Sequence, residues 1–297
     1  MSTTSHLDAL HRLDGRTCLV TGATNGHGRA LAEALAMRGA DLVILGRNPR
    51  LCDETARAIE SASGRRPTIL LSDLASKADI DRAAAEFLAS GRPLHVLVNN
   101  AGMVNRTREV TIDGVEKVFA VNYLAYFQLT LRLLPRIVES APARIVNVSS
   151  DTHRITSMDL GDLELTRGFS WLKSYGRSKL AIVYFTRELA RRLAGTGVTV
   201  NALDPGPVAS NIGAHDPSPV VQFLGKLVMA PFPSAARAAR TAIHLASAPE
   251  VANVTGAYYK FGVAREPRVA KDEGAVAKPL WEASVRYTGV DLGEARS

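Results

Sequence analysis

Tyr175 and Lys179 stand four residues apart in the stretch "YGRSK", inside a helical pattern that puts both side chains on one face. That pairing can move a proton. A free phenol titrates near pH ~10, too high for easy exchange at neutrality, and a neighbouring ammonium favours the phenolate. Taken alone the spacing carries no weight, because ordinary surface helices contain it. Its meaning depends on what the rest of the chain places beside it.

A second chemistry-bearing stretch lies near the start, "TCLVTGATNGHGRALAEALAMRGA", with Gly22, Gly26 and Gly28 between an apolar run and an alanine-rich amphipathic one. A strand that turns through glycines into a helix gathers free backbone N–H groups and a helix N-terminus at one point, which suits a pyrophosphate. Gly22 permits the tight turn, Gly26 the close phosphate approach and Gly28 the packing of helix on strand. His27 has two readings: a side chain near the pyrophosphate that adds charge when protonated, or a helix-start residue of which only the N–H matters.

The elements that must position these groups alternate along the chain. Seven strands are predicted: Thr17 to Gly22, Asp41 to Gly46, Pro67 to Asp73, Leu94 to Asn100, Ala143 to Ser150, Val198 to Gly206 and Thr255 to Gly262. Helices are predicted over Arg29 to Arg38, closed by Gly39, over Arg50 to Ser63, closed by Gly64, over Lys77 to Ala89 and over Leu172 to Ala194. Nearly continuous apolar strands separated by helices imply a mostly parallel sheet covered on both faces. The expectation is one doubly wound α/β (Rossmann) domain spanning residues 1–297, its core about 15–262.

Bulk properties narrow the function classes. The 297 residues carry a net charge of +7, with 46% hydrophobic and 22% charged residues, which is ordinary globular usage. The basic residues are scattered and no aromatic-plus-basic stripe occurs, so no nucleic-acid partner is expected. The two cysteines, Cys18 and Cys52, form neither a metal cluster nor a disulfide framework, and no metal is expected. A polar N-terminus without a signal-peptide core, and no apolar run long enough to span a bilayer, imply a cytoplasmic protein. Two stretches break the rhythm, Asp151 to Ser174 and Ala209 to Pro233; long irregular excursions are often binding loops or lids. Beyond Ala264 the charged tail could wrap the body or fray.

Five motifs in order give the chain a family likeness: "TGATNGHG", "NNAG" at Asn99 to Gly102, "VNVSS" at Val146 to Ser150, "YGRSK", and "DPGPVAS" at Asp204 to Ser210. Together they resemble the short-chain dehydrogenases/reductases, over roughly Gly15 to Gly262. The gap from Ser150 to Tyr175 and the run "SKLAIVYFTRELARRLAGTGVTVNALDPG" look like the retinol-dehydrogenase branch, although Asp204 replaces a histidine common there.

The resemblance implies roles. Tyr175 would be the general acid/base, Lys179 would also hold the nicotinamide ribose, Ser150 (or Ser149) would bind the substrate oxygen, and Asn122 in "VNY" would support a water relay to the lysine. Thr21, Gly22, Thr24, Asn25, Gly26, His27 and Gly28 would form the cofactor loop. Asp73, Leu74 and Asn99 would lie on the adenosine side, with Ala101 and Gly102 beside them, while Pro205, Gly206, Val208 and Ser210 would hold the nicotinamide carboxamide. An acid closing the second strand would select NAD; Gly46 stands there instead, followed by Arg47, whose guanidinium suits a 2′-phosphate and points to NADP(H). Asn25 lacks the basic character that many NADP-using relatives show at that place.

The expected activity is hydride transfer between NADP(H) and a lipophilic alcohol or carbonyl, possibly ring-containing given the apolar side chains from Phe223 to Phe232. An epimerase or dehydratase of the same fold, or a non-catalytic NADP sensor, are the alternatives. Family likeness also suggests a homodimer or homotetramer.

Overall fold

The computed structural model describes residues 11–206 and 234–293. The chain runs β1 (Thr17–Thr21), α1 (Gly26–Met37), β2 (Asp41–Gly46), α2 (Pro49–Ser63), β3 (Thr68–Leu71), α3 (Lys77–Ala89) and β4 (Val96–Asn99). It continues with α4 (Lys117–Phe119), a π-helical turn (Ala120–Leu124), α5 (Ala125–Glu139), β5 (Ala143–Val148), a 3-10 turn (Asp151–Ile155), α6 (Trp171–Arg192) and β6 (Val198–Asp204). Then follow α7 (Ala235–Ser247), β7 (Tyr258–Lys260), β8 (Val263–Arg265) and α8 (Gly274–Thr288).

The strands form one sheet in the order β3-β2-β1-β4-β5-β6-β7-β8, parallel except for the antiparallel β7–β8 pair. Side-chain alternation splits each inner strand between two cores. Leu19, Val43, Leu45, Leu97, Ile145 and Val200 pack under α3, α5, α6 and α8, whereas Cys18, Val20, Ile44, Val96, Val98 and Leu203 pack under α1, α2 and α7. Burial raises the Cys18 thiol to about 12, so it is an inert core group. The order reverses between β1 and β4, and at such a switch point the loops leaving the strand carboxyl ends diverge to open a crevice. The glycine loop leaves β1 there, and the "NNAG" segment leaves β4.

One expectation changes and one open reading is decided. The sheet has eight strands among the described residues, not seven, because the run read as one strand to Gly262 turns back at Phe261–Gly262 and pairs Lys260 with Val263. The tail does not fray through its middle: α8 buries Leu280 and Trp281, and the indole lies 4.8 Å from the Phe127 ring and 6.0 Å from Phe185. Arg192 sits 4.0 Å over that indole. A charged helix surface masked this docking face, which runs from Ala277 to Thr288. The irregular loop 209–233 lies outside the described residues; the other, Asp151 to Ser174, contains the 3-10 turn and a reverse turn in which Asp162 accepts bonds from the Thr166 and Arg167 amides.

Candidate active site

β5 delivers two serines to the sheet end, and they point in opposite directions. Ser149 is buried and its hydroxyl donates to the Lys179 carbonyl at 2.8 Å, so it braces α6. Ser150 caps the 3-10 turn by accepting from the Thr152 amide at 3.3 Å and stands close enough to the Tyr175 phenol to ease its ionisation. Of the two serines, only Ser150 stands beside the phenol.

The helical spacing on α6 brings Lys179 under Tyr175, with Nζ 5.5 Å from the ring centroid. Nζ donates to the Val148 carbonyl at 2.9 Å, and the residue is buried. Burial dominates both groups. It pushes Tyr175 up to about 12 against the influence of Ser150, and draws Lys179 down to about 7 against the attraction of Asp204. The lowering expected from the ammonium does not appear: desolvation is the largest influence on Tyr175, and the Lys179 amine is occupied with the Val148 carbonyl. A protonated phenol at neutral pH is the form that can donate to a carbonyl oxygen.

Asn122 lies in the π-helical turn, fully buried. Its Oδ1 accepts from the Met103 amide at 2.8 Å, while Nδ2 donates to the Met103 carbonyl and the Ser178 hydroxyl, each at 3.0 Å. The side chain thus ties the segment after β4 to α6, with both Nδ2 hydrogens used in doing so. Asn122 Oδ1 and Lys179 Nζ each lie 3.5 Å from where a Gly102 Cβ would stand, so the missing side chain leaves space beside the lysine amine.

The glycine loop is built as tightly as its spacing implies. Gly22 has φ +67°, and a Cβ there would stand 2.8 Å from Ala101 Cα. At Gly28 a Cβ would collide with the Gly22 carbonyl and the Asn100 amide. Asn25 precedes α1 without making a side-chain cap, whereas Asn48 and Ser76 cap α2 and α3. The first-turn N–H groups of α1 are therefore left for an anion, and the loop fits a dinucleotide pyrophosphate.

Several residues expected at the cofactor stand elsewhere. Thr21 is buried, with its hydroxyl accepting from the Asn100 and Ala101 amides at 2.9 and 3.0 Å, so it joins two loops. Asn99 is fully buried and donates to Thr130 Oγ1 and Asn147 Oδ1, both at 2.9 Å, so its side chain braces β4, β5 and α5 rather than the adenosine side. Leu74 belongs to the core; Asp73 keeps its place after β3, half-buried, with Oδ1 accepting from the Ala75 amide at 3.0 Å. The charged reading of His27 fails: the ring is buried, its Nδ1 is 2.7 Å from Asn100 Oδ1, and burial lowers its pKa. Thr24 is half-buried beside Gly46, and Asn25 and Arg47 are exposed. Pro205 and Gly206 end β6 at the crevice; Val208 and Ser210 lie outside the described residues.

Asn100 escaped sequence reasoning. Its Nδ2 donates to the Thr21 carbonyl at 2.8 Å and to Gly22 at 3.3 Å, so it pins the glycine loop to the end of β4. The second asparagine of "NNAG" was the available signal.

A doubly wound sheet carries a glycine-loop helix at its switch point, with a serine, tyrosine and lysine gathered across from it. The model of the short chain dehydrogenase family matches residues 16–219. Human retinol dehydrogenase 14 is 40% identical over 303 residues, covering 94% of this chain and 88% of the relative. Mouse polyprenol dehydrogenase is 37% identical over 291 residues, covering 95% and 86%. Among solved structures, a Pseudomonas aeruginosa RhlG/NADP complex matches with a TM-score of 0.68 at 29% identity, covering 84% of this chain and 95% of that one. The chain belongs to the short-chain dehydrogenase/reductase family, in its retinol-dehydrogenase-like branch. No helix among the described residues is long and apolar enough to cross a membrane.

Proposed function

We propose that this chain transfers a hydride between NADP(H) and a lipophilic alcohol or carbonyl compound, with Tyr175 as general acid/base. The observation that carries the proposal is the convergence of Ser150 and the Tyr175 phenol at the buried Lys179 amine, whose Nζ lies 5.5 Å from the Tyr175 ring centroid. When bound, the nicotinamide supplies or accepts the hydride. Ser150 holds the substrate oxygen and steadies the charge that grows on it. Tyr175 passes its phenolic proton to that oxygen during reduction and takes it back during oxidation. Lys179 then stabilises the phenolate left behind, and Asn122 holds the segment and helix between which the amine sits.

The N–H groups of the Gly22–Gly28 loop would hold the pyrophosphate. Gly102 and Lys179 would take the ribose, Pro205 and Gly206 the carboxamide, and Asp73 the adenine edge. Arg47 supports the choice of NADP(H): it is exposed at the end of β2 and makes no ion pair among the described residues. An acid at position 46 would place its Cβ 2.6 Å from Cys52 Sγ, so the strand end is shaped against the 2′-OH acceptor that NAD favours. The names of the retinol and polyprenol dehydrogenases support long apolar alcohols as the substrate class. A homodimer or homotetramer in the cytoplasm completes the reading; light scattering tests the assembly.

The test follows NADPH consumption, with NADH in parallel, over a panel of lipophilic aldehydes and ketones. Turnover that prefers NADPH and disappears in Tyr175→Phe supports the proposal. Tight NADPH binding without turnover of any carbonyl turns it towards an epimerase or a sensor.

A further inference from the structure

The loop bearing Ser150 and the segment bearing Pro205–Gly206 leave adjacent strands, yet no main-chain ladder extends beyond Ser149 to hold them in register. What joins them is one side chain. Lys260, the register partner of Asp204 on β7, places Nζ 2.5 Å from Asp151 Oδ2 and 3.2 Å from Asp204 Oδ2. Asp151 directly follows Ser150. Asp204 directly precedes Pro205, and its Oδ1 accepts from the Gly206 amide at 3.0 Å.

The surroundings hold this bridge rigid. Tyr258, also on β7, donates to Asp151 Oδ1 at 3.0 Å, and its ring lies 4.9 Å from His153. The hairpin turn after Lys260 forces Phe261 to φ +51°, a region bulky side chains avoid, and its ring packs 2.8 Å from where a Gly206 Cβ would stand. Lys260 Nζ sits 5.3 Å from the centroid of that ring. A strained turn kept beside the site is maintained by the contacts it makes, and these contacts all converge on the Ser150 and Gly206 segments.

We infer that Lys260 is a positioning residue of the active site: by binding Asp151 and Asp204 together it fixes the Ser150 loop against the Pro205–Gly206 segment and neutralises the buried Asp204 carboxylate. The inference deepens the dehydrogenase reading and rests on it for its kinetic readout. Asp204 raises both Tyr175 and Lys179. An uncompensated negative charge makes a coupled pair hold its protons more tightly, so every apparent pKa of that pair moves up. The other titratable groups around the site are Tyr126 of α5 against Tyr175, His27 of α1 against Lys179, and Asp151, His153, Arg154 and Tyr258 around Asp204 and Lys260. None of them touches Asp204 as closely as Lys260 does among the described residues.

The test compares native chain, Lys260→Met, Lys260→Arg and the double variant Lys260→Met/Asp204→Asn. Lys260→Met lowers kcat roughly 10- to 100-fold by misplacing Ser150 against the cofactor segment. The midpoint of the pH profile for alcohol oxidation rises by about one pH unit, as an unmasked neighbouring charge requires. Lys260→Arg restores most of kcat, and the double variant returns the midpoint to within a few tenths of native without restoring kcat. Unchanged kcat in Lys260→Met, or a midpoint that Asp204→Asn does not bring back, overturns the inference. NADPH affinity, measured by fluorescence without turnover, separates this inference from the functional reading. Loosening the Pro205–Gly206 segment weakens NADPH several-fold in Lys260→Met; a native chain inert on every carbonyl defeats the dehydrogenase reading alone, whereas NADPH binding equally tight in native and Lys260→Met defeats the clamp.

Discussion

Asn100→Ala tests whether the glycine loop is held from β4. The substitution deletes a 2.8 Å bond to the Thr21 carbonyl, a weaker 3.3 Å bond to Gly22 and a 2.7 Å bond to His27 Nδ1. Two good part-buried bonds at about 1 kcal/mol each, plus about 1 kcal/mol for leaving His27 or Thr21 unpaired, give a loss of roughly 2–4 kcal/mol in unfolding free energy. Urea unfolding followed by circular dichroism reads that directly, with the slope unchanged if only the folded state is affected. The Gly22 carbonyl, released from Asn100, no longer keeps its place against Gly28, so the thermal stabilisation by saturating NADPH shrinks as well. A variant that unfolds within 0.5 kcal/mol of native, as expected for an ordinary surface change, and keeps its NADPH shift would refute this account of the loop.

Other outcomes follow from the same geometry. Burial lowers the pKa of His27, His95 and His153, so the folded chain binds fewer protons than the unfolded one. Stability is therefore full above the unfolded histidine value of about 6.5 and falls as pH drops below it; replacing His27 with Gln should flatten part of that fall in denaturant titrations from pH 8 to about 5. Arg47→Ser should weaken NADPH at least tenfold and leave NADH nearly unchanged, by removing a charge-assisted phosphate contact, and isothermal titration distinguishes the two. Trp281→Ala should cost about 3–5 kcal/mol in thermal unfolding, since it empties the aromatic contact between α8 and the Phe127–Phe185 pair.

Much of this architecture can be read in the residues because the physics is local. Strand β2 runs from Asp41 to Gly46 as its apolar run predicts, and α3 runs from Lys77 to Ala89 between a serine cap and the "SGRP" break. Tyr175 and Lys179 were legible because helical spacing alone puts them on one face. What escaped depends on contacts distant in sequence. Nothing around Lys260 announces a partner at Asp151, and Thr21 and Asn99 look like ligand donors until the fold turns them onto Asn100, Thr130 and Asn147. The balance of burial against charge at Tyr175 is likewise a property of the packed site.

The central claim is that Tyr175 moves the proton during hydride transfer, and single-turnover reduction of a carbonyl substrate by the NADPH-loaded Tyr175→Phe variant tests it most directly. The account predicts a rate about 10²–10⁴-fold below native, the range for loss of a general acid, with NADPH affinity within a few-fold of native. A variant that reduces the carbonyl within tenfold of the native rate would contradict it.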